Sequence, residues 1–433
     1  MIWAIGVGAV ISGMYFGWNL GLPEGGPFGL LGATLIVTVM YIAFVVGYAE
    51  LSCSLPRAGG AFVYAHKALG PKLGFLAGVA QWVEFVFAPP AIAAAIGAYF
   101  NIFFPQFSPT SIAFVVTILF TLLNIHGLKY SARFELGVTI LAVLELLIFA
   151  GATLPHFSWT AFSHNALPHG WMGILPALPY AIWFYLAIEG VANVAEESRN
   201  PQKDIATGFN TAIMTLVILA LLTFFSAVGV GGWEAIVYKP GETTPSDSPL
   251  PLALGLIVGQ SNILYHLLIT IGLCGLLASF HGIILVAGRV TFEFGRVRYF
   301  PKVFGKTHLT RGTPAPALLL NMGVGFLALL SGRTSEIIIL SVFGALTLYA
   351  LSMISLFRLR KLHPELHRPF KTPFYPWAPL TALVLALFCL IAMSYYNQQL
   401  LLVYLGILAF FYLWYYLAIP KTVRNSSLAL ESN

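Results

Sequence analysis

Charge is what this sequence has least of. Only 9% of its 433 residues are Asp, Glu, Lys or Arg, against roughly 25% in an ordinary soluble domain. So thin a supply cannot cover a water-facing surface, and a soluble globular fold is excluded on that ground. Cysteine is scarce as well. Cys53, Cys274 and Cys389 are dispersed, with neither the pairing of a disulfide framework nor the spacing of a metal site. They read as small apolar residues, and neither a metal nor a cofactor is expected. Long polar segments are also missing, since the longest connection, 231–261, is too short to fold as a soluble domain. The opening Met1-Ile2-Trp3-Ala4 run lacks the basic leader of a signal peptide, so no cleaved leader is expected.

Apolar length takes the place of charge. Hydrophobic residues make up 58% of the chain. They gather into about twelve stretches, near 2–22, 30–50, 73–99, 110–127, 132–154, 171–195, 207–230, 262–290, 314–331, 335–357, 376–395 and 400–419. At about 1.5 Å per helical residue, such stretches cross the roughly 30 Å of a bilayer's hydrocarbon. The expected fold is therefore an all-α membrane protein of about twelve transmembrane helices. If the loop after the second stretch is cytoplasmic, 20 of the 22 Lys and Arg residues share that side, and only Lys239 and Arg333 fall opposite. This is the positive-inside distribution, and it places both termini in the cytoplasm. It also accounts for the net charge of +6, so no nucleic-acid partner is expected.

Two stretches are irregular. The first holds Gly6, Gly8, Gly13 and Gly17 within one crossing. The sixth holds Pro176 and Pro179, then Trp183-Phe184-Tyr185, then Glu189-Gly190. Glycine eases departure from helical geometry, proline removes a backbone donor, and a mid-span carboxyl is costly unless it faces protein, water or a partner. These two stretches occupy corresponding places in two five-span halves. Carriers built from inverted repeats break one helix in each half and bind solute there. Small residues also allow close helix packing, and composition leaves both readings open.

Other polar residues stand inside apolar stretches. Glu84 follows Gln81-Trp82 and precedes Pro89-Pro90; it reads as an inward-facing group near a solute. Glu145 is flanked by apolar residues in the fifth stretch and is a candidate for proton coupling. His281, in Ala278-Ser279-Phe280-His281-Gly282, is either a titrating group or a structural hydrogen-bond partner.

At these residues the chain resembles the amino acid–polyamine–organocation transporter superfamily, over nearly its whole length. Ile11-Ser12-Gly13 resembles the family's first-helix break. ELSCSLPRAGG at 50–60 resembles its element at the inner end of span 2, and the run from Trp183 to Pro201 resembles its sixth span and exit. SGMYFGWN at 12–19, EFVFAPPAIAAAIGAYF at 84–100, AIWFYLAIEG at 181–190 and GLLASFHGIILVAGR at 275–289 look most like the ethanolamine permease branch. That branch often has Asp or Glu where this chain has Met14.

The resemblance implies a 5+5 inverted-repeat core in residues 1–357 with discontinuous helices 1 and 6, then two further spans and a short tail in 358–433. It implies a multi-pass carrier of a bacterial inner membrane that works by alternating access, with no enzymatic chemistry. The implied substrate site comprises Ile11, Ser12, Gly13, Met14, Glu84, Trp183, Tyr185, Ala187, Ile188 and Glu189. Trp183 closes over the solute, amides near Ser12 to Met14 face a substrate anion, and carbonyls of 185–188 accept from an amine. Coupling or gating falls to Glu145, Glu189, His281, Arg57, Glu196 and Glu197, with Arg57 and the acidic pair holding an inner gate shut. Ser12 and Ser279 mark a sodium site by analogy, although protons or exchange are expected ahead of sodium. The expected substrate is a small amine, ethanolamine first; an amino acid is the alternative, and a non-transporting receptor or scaffold the third reading.

Overall fold

A computed structural model describes residues 2–57, 59–127, 132–197, 201–308 and 311–424, without the side chains at 132, 133, 193–197, 201 and 203. Lys129, Arg199 and the tail from residue 425 thus lie outside the described residues, as do the side chains of Glu196 and Glu197.

The chain is helical throughout. In order, the helices are α1 (Ile2–Val10), α2 (Ser12–Tyr15), α3 (Leu22–Ser54), α4 (Ala61–Leu69), α5 (Pro71–Phe103) and α6 (Pro109–His126). Then come α7 (Ala132–Thr153), α8 (Trp159–Ser163), α9 (Ile174–Trp183), α10 (Pro201–Val228), α11 (Trp233–Val237) and α12 (Pro249–Val258). The last six are α13 (Ile263–Arg296), α14 (Ala315–Leu330), α15 (Thr334–Leu362), α16 (Trp377–Tyr396), α17 (Gln398–Leu417) and α18 (Lys421–Arg424). Local chemistry sets several ends. Before α6, the Ser108 hydroxyl accepts from the Ser111 amide and Pro109 fills the first turn; Gly127 closes the helix at φ 75°. Ahead of α13, the Asn262 side chain accepts from Leu264 N–H.

Among the described residues ten helices are long and apolar enough to cross a membrane. Two of the twelve expected spans fall short of that measure, for different reasons. The first is interrupted after Val10. The ninth, α14, has 16 residues, about 24 Å of rise. The loop 231–261 is ordered into α11 and α12. The two basic residues expected opposite the rest do share one end of the bundle. Thr334 donates to Asp247 at 2.7 Å, Lys239 lies near the same carboxylate, and Arg333 pairs with Glu336 at 2.6 Å.

Burial divides the helices into a centre and a periphery. The most apolar window of α15 is 83% buried and that of α5 is 72%, whereas α17 reaches only 11%. A Cβ at Gly344 of α15 would press on the Ala80 carbonyl and the Glu84 amide, so α15 lies directly on the backbone of α5. Leu402, Leu413 and Leu417 of α17 face outward, as lipid-facing residues do.

At the end of α3, Glu50 is 1% exposed and accepts from Arg360 Nε at 2.9 Å, Arg360 Nη2 at 2.5 Å, and the amide and hydroxyl of Thr372, each at 2.7 Å. Arg368 adds an ion pair at 3.3 Å. Glu50 is thus engaged by the far end of α15 and the segment after it. Arg57 is exposed nearby in sequence. The basic partners of Glu50 are Arg360 and Arg368, while the expected contact of Arg57 with Glu196 and Glu197 falls on side chains outside the described ones.

Candidate substrate site at two interrupted helices

Two helices lose their regular hydrogen bonding in the centre of the bundle. The first stops at Val10, makes one turn at Ile11, resumes for Ser12–Tyr15, and opens at Phe16 (φ −161°, ψ 173°) and Gly17 (φ 89°). Glycine is required twice here. Gly17 has a backbone that L side chains rarely adopt, and a Cβ on Gly13 would run into the carbonyl oxygen of Trp183. The second helix, α9, ends at Trp183; residues 184–187 form turns, and 3-10 turns run over Ile188–Glu197. Its bonds there span three residues, as in Tyr185 N–H to Ile182 C=O at 2.9 Å and Gly190 N–H to Ala187 C=O at 3.0 Å. Ala187 takes φ 74°, a left-handed conformation costing about 1–2 kcal/mol for a residue with a Cβ.

The interruptions touch. Trp183 sits edge-to-face with Phe16, centroids 5.4 Å apart, and is 3% exposed with no hydrogen-bond partner on its indole N–H. Between them lies a small cavity lined by Val10, Ser12, Ala88, Trp183, Leu186, Ala187 and Ile283. Ser12, Trp183 and Ala187 are the expected site residues that line it. Ile11, Gly13, Tyr185 and Ile188 are not among its lining residues. Met14 is 0% exposed in the core, and its amide is spent on Ile11 C=O at 2.9 Å. Met14 is not among the residues that line this cavity.

A polar chain runs behind the second interruption. Tyr349 donates to Glu189 at 3.1 Å, and its oxygen lies 3.0 Å from the Tyr41 hydroxyl. The carboxyls of Glu189 and Glu84 face each other, and the Ala187 amide is directed at Glu84. Both are fully buried, and neither Glu84 oxygen nor Glu189 Oε1 makes a hydrogen bond of ordinary geometry. Ser341 ties the Glu84 carbonyl to α15 at 2.8 Å, and Thr38 meets the Tyr185 hydroxyl at 2.7 Å. Sequence reading found both carboxyls but not Tyr41, Tyr349 or Thr38. Their one signal was a hydroxyl in mid-span, weak in a chain with 19 tyrosines.

The first interruption has its own polar tie. Ser279 of α13 donates to Ala9 C=O at 2.7 Å and lies 2.9 Å from Ser12 Oγ. A hydroxyl has one proton, so Ser279 shares it between the Ala9 carbonyl and Ser12 Oγ as alternative acceptors. His281, two residues on, points about 200° around the helix from Ser279. It meets Asn124 Nδ2 of α6 through Nδ1 at 3.1 Å, away from both interruptions. Glu145 is 3% exposed beside Tyr15 rather than between the interruptions.

Ten long apolar helices among the described residues, two interruptions in contact and a cavity between them free of charged side chains fit a secondary transporter of the membrane-spanning, discontinuous-helix class. The chain belongs to the amino acid permease family, whose profile it matches over residues 2–422. It is 28% identical to an uncharacterised transporter of Rhizobium meliloti, over 89% of this chain and 83% of that one. It is 26% identical to a branched-chain amino acid permease of Bacillus subtilis (94% and 90%), and 24% identical to a gamma-aminobutyric acid permease of Escherichia coli (93% and 89%). It is thus a many-span transporter of a small polar solute, not an enzyme, within the wider amino acid–polyamine–organocation group.

Proposed function

We propose that this permease carries a small amino acid across a bacterial inner membrane by alternating access. The observation that carries the reading is the cavity between the two interruptions, which has no charged side chain among its lining residues. Amides around Ser12 and Gly13 meet the carboxylate, and carbonyls of the second interruption with the face of Trp183 meet the ammonium. In this reading residues 1–357 form the 5+5 inverted repeat with α1–α2 and α9 in its discontinuous helices, and 358–433 add two peripheral spans and a tail. Both termini are cytoplasmic. Coupling is to protons or to exchange rather than to sodium: Ser279 already occupies the carbonyl at Ala9, and Glu84 and Glu189 face each other in a buried site. Two bare carboxylates in a dry site repel, and one shared proton removes that repulsion.

A second reading, ethanolamine, is favoured by one feature: the carboxyls near the cavity suit an amine, and no basic side chain lines it. Uptake into proteoliposomes separates the two. Leucine, alanine, gamma-aminobutyrate and ethanolamine are offered under a proton gradient, under a sodium gradient, or against preloaded substrate. Amino acid accumulation that ethanolamine does not compete supports the first reading. Ethanolamine accumulation untouched by any amino acid overturns it. Binding with neither flux nor exchange returns the chain to the receptor reading.

A further inference from the structure

A second cavity lies one helical turn along α2 from Ser12, because Tyr15 follows it by three residues and shares its face. Its wall includes Tyr15, Tyr99, Glu145, Phe149, Leu254 and Ile269, and it is small. Glu145 is 3% exposed, and its Oε2 has no hydrogen-bond partner. The neighbouring phenol protons are already committed. Tyr99 donates to the Tyr15 carbonyl at 3.0 Å, and the Tyr15 hydroxyl lies between Ala142 C=O at 3.2 Å and the other side of the Glu145 carboxyl. None of the lining residues is basic.

A buried carboxyl oxygen in this position calls for an occupant that brings its own donor, and an ammonium supplies both that donor and the charge that would balance an ionised carboxylate. The remaining wall narrows the choice. Tyr15 and Tyr99 meet edge-to-face at 6.5 Å and, with Phe149, surround the carboxyl with ring surface, which attracts organic cations. A bare metal ion asks for several hard oxygen ligands, and this wall offers a single carboxyl and two phenols.

We propose that this cavity is a second ligand site, which takes the ammonium head of a primary amine against Glu145 and the rings of Tyr15, Tyr99 and Phe149. Leu250, Pro251 and Leu254 of α12 close it, so the loop 231–261 covers the ligand. The site rests on the transport reading only for its meaning, a halt for the substrate amine next to the central cavity. Binding itself requires no flux.

The experiment measures binding of radiolabelled methylammonium to the purified full chain, with sodium chloride as competitor. Saturable binding is expected, indifferent to equimolar sodium. Glu145→Gln weakens it at least about tenfold, the effect of losing a charge-assisted hydrogen bond. Leu254→Trp, which keeps the carboxylate and fills the space, weakens it similarly, and decides the matter should the Glu145 variant fail to fold. Equal affinity in parent and Leu254→Trp overturns the proposal, as does absence of saturable binding, or displacement by sodium at the same concentration. Amino acid uptake assayed on the same preparation keeps the two readings apart: failed uptake with Glu145-dependent binding sinks the proposed function and leaves this site standing.

Discussion

At the first interruption the backbone turns on glycine; at the second it turns on alanine. Gly17 takes φ 89° without a Cβ to clash, and Gly13 leaves room for the Trp183 carbonyl. Ala187 takes φ 74° although it has a Cβ, so its strain is balanced from outside, by the facing carboxyls, Tyr349 and the turns that follow. The first opening is thus written into its own residues. The second is imposed by α5 and α15.

The contrast breaks most visibly if Gly13 gains a side chain. Gly13→Val forces bulk onto a backbone atom that has no room to move, at a cost of about 3 kcal/mol. Uptake into proteoliposomes should fall about a hundredfold, and near-normal uptake would mean that the two interruptions do not need to touch.

Next in size is the outside support of the second opening. Tyr349→Phe strips Glu189 Oε2 and the Tyr41 hydroxyl of a partner, worth about 1–3 kcal/mol for buried groups. Gradient-driven accumulation should drop about tenfold with exchange retained, whereas His281→Gln, remote from both openings, should keep the parental pH response.

A smaller effect concerns the loop above them. Burial pushes the Asp247 carboxyl up to about 6, a rise that Thr334 and Lys239 moderate without cancelling. Docked, Asp247 therefore keeps its proton to higher pH than it does free, near 3.8. Its contribution to docking is complete below that lower value and is lost as pH rises through about 6. Between pH 5 and 7.5 the docked loop should lose about 1 kcal/mol of this preference. Mobility of a spin label at the exposed position 242 should rise between pH 5 and 7.5, and Asp247→Asn should flatten the change.

The smallest effect sharpens the comparison most. Ala187→Gly relieves left-handed strain of about 1–2 kcal/mol, partly offset by the added freedom of the unfolded glycine. A net gain of about 0.5 kcal/mol in thermal stability is expected. Gly17→Ala, at a similar φ, should instead destabilise, since its Cβ would meet the Trp183 ring.

This asymmetry explains what could be read in advance. Apolar length located the helices because a bilayer imposes a length on each crossing. Clustered glycines exposed the first opening, and Glu84 and Glu189 were conspicuous because carboxyls are rare in such segments. The position of Ala187 was invisible: nothing local marks an alanine as left-handed when its support comes from residues far away in the chain. The partners of Glu50 were hidden for the same reason, because Arg360 is 310 residues away in sequence while Arg57 is close.

The tie at Glu50 has a consequence for measuring this protein at work. Helices α3 and α15 are joined at two levels, Tyr41 to Tyr349 and Glu50 to Arg360, separated by about 14 Å along one helix and about 16 Å along the other. Two rungs resist both sliding and twisting in a way that one does not. The pair is therefore a built-in ruler: probes fixed on α3 and α15 supply the stationary reference against which displacement of either interrupted helix can be read.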